Sequence, residues 1–132
     1  GGELVGVELA EFLAERGRKV TVIDELDKFG AGLPSVRAEL VLNQLHKLHA
    51  TLLPGARAIE IEANGVSYTN FRGQRRKVGA DHVIIAQGAA EDLRVARQFE
   101  QAGLEVFIIG DCKGVGYIDG AFMDAALLAQ SL

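Results

Sequence analysis

Cysteine, proline and tryptophan are scarce in this sequence. Its 132 residues include one cysteine, two prolines and no tryptophan. A single thiol, Cys112, excludes an internal disulfide, a CxxC redox pair and a cysteine-rich metal site. The low cysteine content also fits a reducing compartment, so we expect a cytoplasmic protein. His46 and His49 could share one helix face, but no further ligands are evident nearby, so no metal site is expected.

Positive charge and long apolar runs are lacking as well. The formal net charge is −4 at pH 7, and no basic patch is interleaved with aromatic residues. General attraction to nucleic acid or to anionic membranes is therefore not expected. No apolar run approaches the roughly 20 residues of a membrane span. The sequence thus predicts neither a nucleic-acid partner nor a membrane partner.

Glycine, in contrast, is abundant. The chain has sixteen glycines, together with 48% hydrophobic and 24% charged residues, and these two fractions are ordinary for a globular protein with an apolar core. The glycines stand at turn positions rather than in a repeat. The length suits one domain, or one domain and a piece of a second.

Hydrophobic periodicity predicts four helices. They are expected at Glu3–Arg16, Val36–Leu48, Glu91–Ala102 and Gly120–Leu132. The predicted buried stripe of the first helix consists of Val5, Leu9, Phe12 and Leu13. Ser35 is predicted to cap the second helix. The inward-facing residues of that helix are expected to be Leu40, Leu45 and Leu48.

Short β-branched and apolar runs predict strands of two kinds. Lys19–Asp24, His82–Ala86 and Glu105–Ile109 have the character of buried parallel strands. Between the first two lie four segments with turn signals, which predict an antiparallel meander: Thr51–Leu53, Ala58–Ala63, Gly65–Thr69 and Arg75–Val78. The order of elements therefore predicts an α/β fold that contains an antiparallel β-meander.

The first six residues, GGELVG, have the spacing of a dinucleotide-binding turn with one change. Gly1 and Gly6 occupy the first and third glycine positions of such a turn, and Glu3 occupies the second. Asp24 ends the next strand, where an acid can accept a hydrogen bond from a ribose 2′-hydroxyl. The alternative for Asp24 is a solvated acid at a strand end. A strand normally precedes this turn, so we expect the first strand of the sheet to be missing from the sequence.

Glu3 leaves two interpretations of the turn open. A carboxylate beside a pyrophosphate would be repelled, because like charges at about 4 Å cost about 4 kcal/mol at an effective dielectric near 20. A side chain that points into solvent would escape most of that cost. The alternative is that Glu3 only stabilises the positive amino end of the helix.

Four segments together resemble a known family of flavoproteins. They are residues 1–24 (GGELVGVELAEFLAERGRKVTVID), 80–88 (ADHVIIAQG), 105–112 (EVFIIGDC) and 116–129 (GYIDGAFMDAALLA). The chain is similar along nearly its whole length to the C-terminal nucleotide-binding region of FAD/NAD(P)-dependent oxidoreductases of the pyridine nucleotide-disulfide type. The family more often has Thr or Leu where Gln87 stands.

The resemblance implies a three-layer, Rossmann-like FAD/NAD(P)-binding fold that lacks its first strand. It assigns residues 1–88 to the NAD(P)-binding domain and residues 89–132 to the C-terminal segment of the FAD-binding domain. No catalytic residue is expected, since the cofactors perform the chemistry. The cofactor-binding residues it implies, together with those of the glycine turn, are Gly1, Gly2, Leu4, Val5, Gly6, Glu8, Asp24, Gly88, Gly110 and Asp111.

Two of these acids have a second interpretation. Glu8 matches a family glutamate that lies near the nicotinamide or the flavin edge, but it could equally be a surface glutamate of the helix. Asp111 matches an aspartate that approaches the ribityl chain of FAD, but it could be a turn residue. If Asp24 binds ribose, it favours NAD(H) over NADP, because a 2′-phosphate would meet an anion.

The most similar subgroup is that of 2,4-dienoyl-CoA reductase and trimethylamine dehydrogenase-like enzymes. This implies a longer parent protein in which an N-terminal barrel carries FMN and an iron–sulfur cluster. The expected function is hydride transfer between NAD(H) and FAD, and the alternative is a domain that has lost its NAD site and serves a structural or subunit-interaction role. Without the missing half of its flavin domain, the isolated chain is expected to self-associate and to be inactive.

Overall fold

The computed structural model describes all 132 residues, which form two compact units, Gly1–Gly88 and Ala89–Leu132. The first unit contains two helices, a pair of parallel strands and a three-stranded antiparallel sheet. In chain order its elements are α1 (Leu4–Glu15), β1 (Thr21–Ile23), α2 (Ser35–Lys47), β2 (Thr51–Leu53), β3 (Arg57–Glu62), β4 (Gly65–Thr69) and β5 (Arg75–Gly79).

Helix α1 forms where periodicity predicts it, but a different face is buried. Val7, Ala10 and Ala14 are buried, whereas Val5 and Phe12 are 60% and 48% exposed. The predicted stripe is therefore wrong at Val5 and Phe12, while Leu9 and Leu13 are partly buried. Small side chains on the inner face allow α1 to pack closely against β1 and α2. The guanidinium of Arg16 lies 3.4 Å from the centre of the Phe12 ring, so the larger side chains lie on the outer surface.

The core of the first unit lies between α1, α2 and the parallel pair β1–β2. Val41 and Leu45 of α2 are completely buried there, and Leu48 packs against them. Leu40 is 59% exposed, so its predicted inward orientation is wrong. Ser35 is the first helical residue instead of the cap, and no side-chain hydrogen bond caps α2.

The segment Thr51–Leu53, predicted as part of the meander, pairs with β1 in parallel instead. The antiparallel meander consists of β3, β4 and β5, with a register shift between Ala58 and Glu60. On its polar face Lys77 Nζ lies 2.6 Å from Glu62 Oε2. The hydrogen bonds that Glu62 accepts from Lys77 and Ser67 lower the pKa of its carboxyl group.

The segment His82–Ala86, predicted as a strand, carries no strand pairing. A strand needs a neighbour that takes up its backbone hydrogen bonds, and no strand of the first unit pairs with this segment. Its apolar side chains remain open, with Ile84 and Ile85 52% and 69% exposed. Its last residue, Ala86, lies directly against Gly1.

The second unit contains α3 (Arg94–Gln101), one 3₁₀ turn (Gly110–Cys112) and α4 (Tyr117–Ser131). Helix α3 begins three residues later than predicted, because the Asp92 carboxylate accepts a hydrogen bond from the backbone N–H of Arg94. The predicted strand Glu105–Ile109 forms no ladder here, since this unit contains no other strand. None of its residues is fully buried.

None of the four helices is long and apolar enough to cross a membrane. The longest, α4, has 15 residues, while a bilayer core needs about 20 apolar residues in a helix.

Candidate functional site

The glycine turn and the end of β1 adjoin one another. The backbone N–H of Gly2 donates a hydrogen bond to Asp24 Oδ2, and the amino group of Gly1 donates to the carbonyl of Ile23 at 2.9 Å. Asp24 therefore stands at the opening of the turn. The structure brings together the two features that the sequence places 22 residues apart.

The turn has the shape and the donors of an anion site. Gly6 lies against the carbonyl oxygen of Gly1, where a methyl group would overlap with that oxygen, so only glycine fits. The N–H groups of Glu3, Val5 and Gly6 have no acceptor within the chain. Free N–H groups at the positive end of a helix bind phosphate groups well.

Glu3 does not turn away from this site. Its carboxylate lies against Gly88, so that a Cβ atom at Gly88 would come within 2.7 Å of Glu3 Oε2. The side chain makes no capping hydrogen bond to α1. Glu3 thus places a negative charge between the glycine turn and Gly88, two parts of the predicted cofactor site.

Asp24 is bonded on both oxygens to the backbone. Oδ2 accepts from Gly2 and Oδ1 accepts from Leu26 at 2.8 Å. Each carboxylate oxygen has a second lone pair, so a ribose hydroxyl can still donate to it. The following loop carries two more acids, Glu25 and Asp27. Glu25 is paired with Arg57, whose Nε lies 3.5 Å from Glu25 Oε1.

Glu8 is part of an ion-pair cluster between α1 and α2. Arg37 Nε lies 3.3 Å from Glu8 Oε1, and Arg37 Nη2 lies 2.6 Å from Glu11 Oε2. The hydrogen bond to Glu11 is the main reason that the pKa of Arg37 is raised. Arg37 was missed in the sequence, although the i, i+3 spacing of the two glutamates indicates a shared helix face.

A second missed feature is the segment Phe29–Ala31, which we call the strap. Gly30 N–H donates to the carbonyl of Gly2 at 2.7 Å, and Leu4 N–H donates to the carbonyl of Ala31 at 2.8 Å. The ring of Phe29 rests on Gly2, where any side chain would collide with it. The glycines of this loop predict a turn but not its contact with α1.

In the second unit, Gly110 and Asp111 form a turn that is held by acids. Asp111 Oδ1 accepts the N–H of Gly116 at 3.0 Å, and Asp124 Oδ2 accepts the N–H of Gly110 at 2.9 Å. Lys113 Nζ lies 2.7 Å from Asp124 Oδ1. Asp111 therefore has the geometry of a turn residue, and one of its oxygens makes no bond within the chain.

The Gly110 amide should report the titration of Asp124. The pKa of the Asp124 carboxyl group is lowered, mainly by the hydrogen bond from Lys113 and next by the hydrogen bond from the Gly110 N–H. Because the pKa of Asp124 is lower in the folded state, its hydrogen bonds stabilise the fold at pH values above the pKa of the unfolded state. This stabilisation is lost as the pH falls through the pKa of the folded state. We expect the Gly110 amide proton resonance to shift with a midpoint below 3.8, the ordinary value. A midpoint at or above that value would contradict the hydrogen bonds that Asp124 accepts from Lys113 and Gly110.

Cys112 is exposed, and its Sγ donates to the carbonyl of Ile109 at 3.1 Å. No group of three or more His, Cys, Asp or Glu side chains is placed to hold a metal ion.

Comparison with known proteins identifies the same segments. The sequence model of the family described as pyridine nucleotide-disulphide oxidoreductase matches residues 1–120. The chain is 32% identical over 112 residues to bilirubin reductase of Mediterraneibacter gnavus, and this match covers 85% of the chain and 17% of that protein. It is 31% identical over 119 residues to NADH oxidase of Thermoanaerobacter brockii, which covers 89% of the chain and 18% of that protein.

The fold also has solved counterparts. A structure of 2-naphthoyl-CoA reductase with its ligand 2-naphthoyl-CoA superposes with a TM-score of 0.81 and 27% sequence identity, over 94% of this chain and 19% of that one. The architecture is therefore the α/β, Rossmann-like fold of nucleotide-binding flavoprotein domains. The chain spans less than a fifth of the length of each of these three relatives.

Proposed function

Because this chain belongs to the pyridine nucleotide-disulphide oxidoreductase family, we propose that residues 1–88 bind NAD(H) in a flavin-dependent oxidoreductase. The observation that carries the proposal is the hydrogen bond between Gly2 N–H and Asp24, which places the strand-end acid at the glycine turn. The NADH oxidase that is similar to this chain over 89% of its length is named for the same nucleotide.

The residues of the turn fit such a nucleotide. The unpaired N–H groups of Glu3, Val5 and Gly6 would hold the pyrophosphate, assisted by the positive end of α1. Asp24 would accept from the adenosine ribose. When bound, the nicotinamide would supply a hydride, and this chain's own residues would position the nucleotide and weaken the binding of NADP by charge.

The second unit is proposed to contribute to an FAD site. Asp111 is exposed and keeps one oxygen free of hydrogen bonds within the chain, as a contact to a ribityl hydroxyl requires. Gly110 is held by Asp124, which keeps the turn in one conformation. These residues would bind and orient the flavin together with parts of the protein outside this chain.

The parent protein is proposed to be of the 2,4-dienoyl-CoA reductase and trimethylamine dehydrogenase-like type. The two curated relatives above 30% identity are both about five to six times as long as the segment they share with this chain, as the 17% and 18% coverage shows. This leaves ample length for a barrel with FMN and an iron–sulfur cluster. A cytoplasmic location fits the single cysteine.

The proposal is tested by calorimetric titration of the full-length protein with NADH and with NADPH. We expect NADH to bind, and NADPH to bind at least roughly tenfold more weakly because of the acids around Asp24. The variant D24N should weaken NADH binding roughly tenfold or more, since it removes a charge-assisted hydrogen bond. D27N removes an equal charge from the same loop and is the matched control. Absence of NADH binding at millimolar concentration would refute the function.

A further inference from the structure

We infer that the strap, Phe29–Ala31, competes with NAD(H) for the nucleotide-binding turn, because it takes the Leu4 N–H, a donor beside the free N–H groups of Glu3, Val5 and Gly6. This inference rests on the proposed function. It starts from Leu4, whose N–H is in the first turn of α1 and is therefore a natural phosphate donor. In this structure that N–H is taken by the carbonyl of Ala31 at 2.8 Å.

Three contacts hold the strap in place. Besides the bond from Leu4, Gly30 N–H donates to the carbonyl of Gly2 at 2.7 Å. The ring of Phe29 packs on Gly2, next to the hydrogen bond between Gly2 and Asp24. The strap thus takes one N–H of the turn and lies next to the residue that bonds to Asp24.

A nucleotide phosphate can replace the strap as the acceptor of the Leu4 N–H, because it is the stronger acceptor. The carbonyl of Ala31 is a neutral acceptor, whereas a phosphate is charged and forms hydrogen bonds roughly twice as strong. Phe29 is partly buried and packs against the core of the first unit, and Gly30 is buried, whereas Ala31 and the loop residues before Phe29 are exposed. Gly30 and Gly32 both have φ of +86°, a backbone conformation that glycine adopts without strain.

The strap therefore lowers the apparent affinity of the site. If the open form is a minor species, the apparent dissociation constant is the intrinsic one divided by the open fraction. Phe29 is the side chain of the strap that packs on Gly2, and it also packs against the core of the first unit. Its removal should raise the open fraction and tighten binding.

The test compares NADH binding to the full-length wild type and to F29A by calorimetry. We expect F29A to bind NADH roughly tenfold more tightly than the wild type. F71A is the matched control, because Phe71 is 73% exposed, belongs to the same unit and lies outside the strap. It should leave the affinity unchanged. If F29A binds with unchanged or weaker affinity while the wild type binds, the strap inference is overturned and the proposed function stands.

A second measurement does not depend on the folding of a variant. Hydrogen exchange of the Gly30 amide in the wild type should accelerate when NADH is added, because its bond to Gly2 must break. The Ala56 amide, which donates to the Asp24 carbonyl at 2.7 Å, should keep its protection. Continued protection of Gly30 at saturating NADH would also overturn the inference. If neither the wild type nor F29A binds NADH, the proposed function itself fails.

Discussion

Replacing Glu3 with glycine is expected to tighten NADH binding by roughly tenfold or more. The Glu3 carboxylate lies against Gly88, and Glu3 belongs to the turn that is proposed to hold the pyrophosphate. Like charges at about 4 Å repel by about 4 kcal/mol at a dielectric near 20, and solvent around this half-exposed group reduces the effect. The expected tenfold change in affinity corresponds to about 1.4 kcal/mol, roughly a third of the repulsion of about 4 kcal/mol.

The variant E3Q separates charge from shape. It keeps the length of the side chain and removes the charge, so most of the gain should appear in E3Q if repulsion is the cause. E15Q is the control, because Glu15 is an exposed glutamate at the other end of the same helix. If neither E3G nor E3Q improves affinity, then Glu3 does not repel the nucleotide. Binding by E3G alone, with a wild type that does not bind, would support the structural role over the NAD-binding role.

The L45A variant is expected to lose about 2–5 kcal/mol of unfolding free energy. Leu45 is completely buried between α2, α1 and the parallel strand pair, in contact with the other core residues. Truncation there removes a large apolar side chain and leaves a cavity that the neighbouring helix can only partly fill. Urea unfolding followed by circular dichroism measures the change through the transition midpoint.

The matched control for L45A is L40A. Leu40 is in the same helix but is 59% exposed, so its truncation should change the unfolding free energy by less than about 1 kcal/mol. The pair removes the same atoms at two depths. Equal losses in the two variants would show that Leu45 does not lie on the buried face of α2.

The glycine turn and Asp24 could be predicted from the sequence because their signals are local. A helix that begins at a glycine turn, a β-branched run and a terminal acid each depend on neighbouring residues. The same holds for the meander strands, whose bounds differ from the predicted ones by a residue or less at most ends. The exception is Thr51–Leu53, because its partner β1 lies 30 residues earlier in the chain.

The hydrophobic pattern of the sequence did not predict which face of each helix is buried. In α1 both the large and the small apolar residues have helical spacing, and packing against β1 and α2 selected the small ones. In α2 the two leucines Leu40 and Leu45 look alike in sequence, but only Leu45 meets the core. Which face is buried depends on neighbours that are distant in the chain.

The sequence by itself determined the approximate positions of the four helices, the glycine turn and the acid that closes β1, because hydrophobic period and residue type act within a few positions. Only the tertiary structure decided that Glu3 turns toward Gly88 and that the strap takes the Leu4 N–H. It also decided that Glu8 pairs with Arg37. Each of these contacts joins residues that are more than 25 positions apart, and such contacts leave no periodic signal.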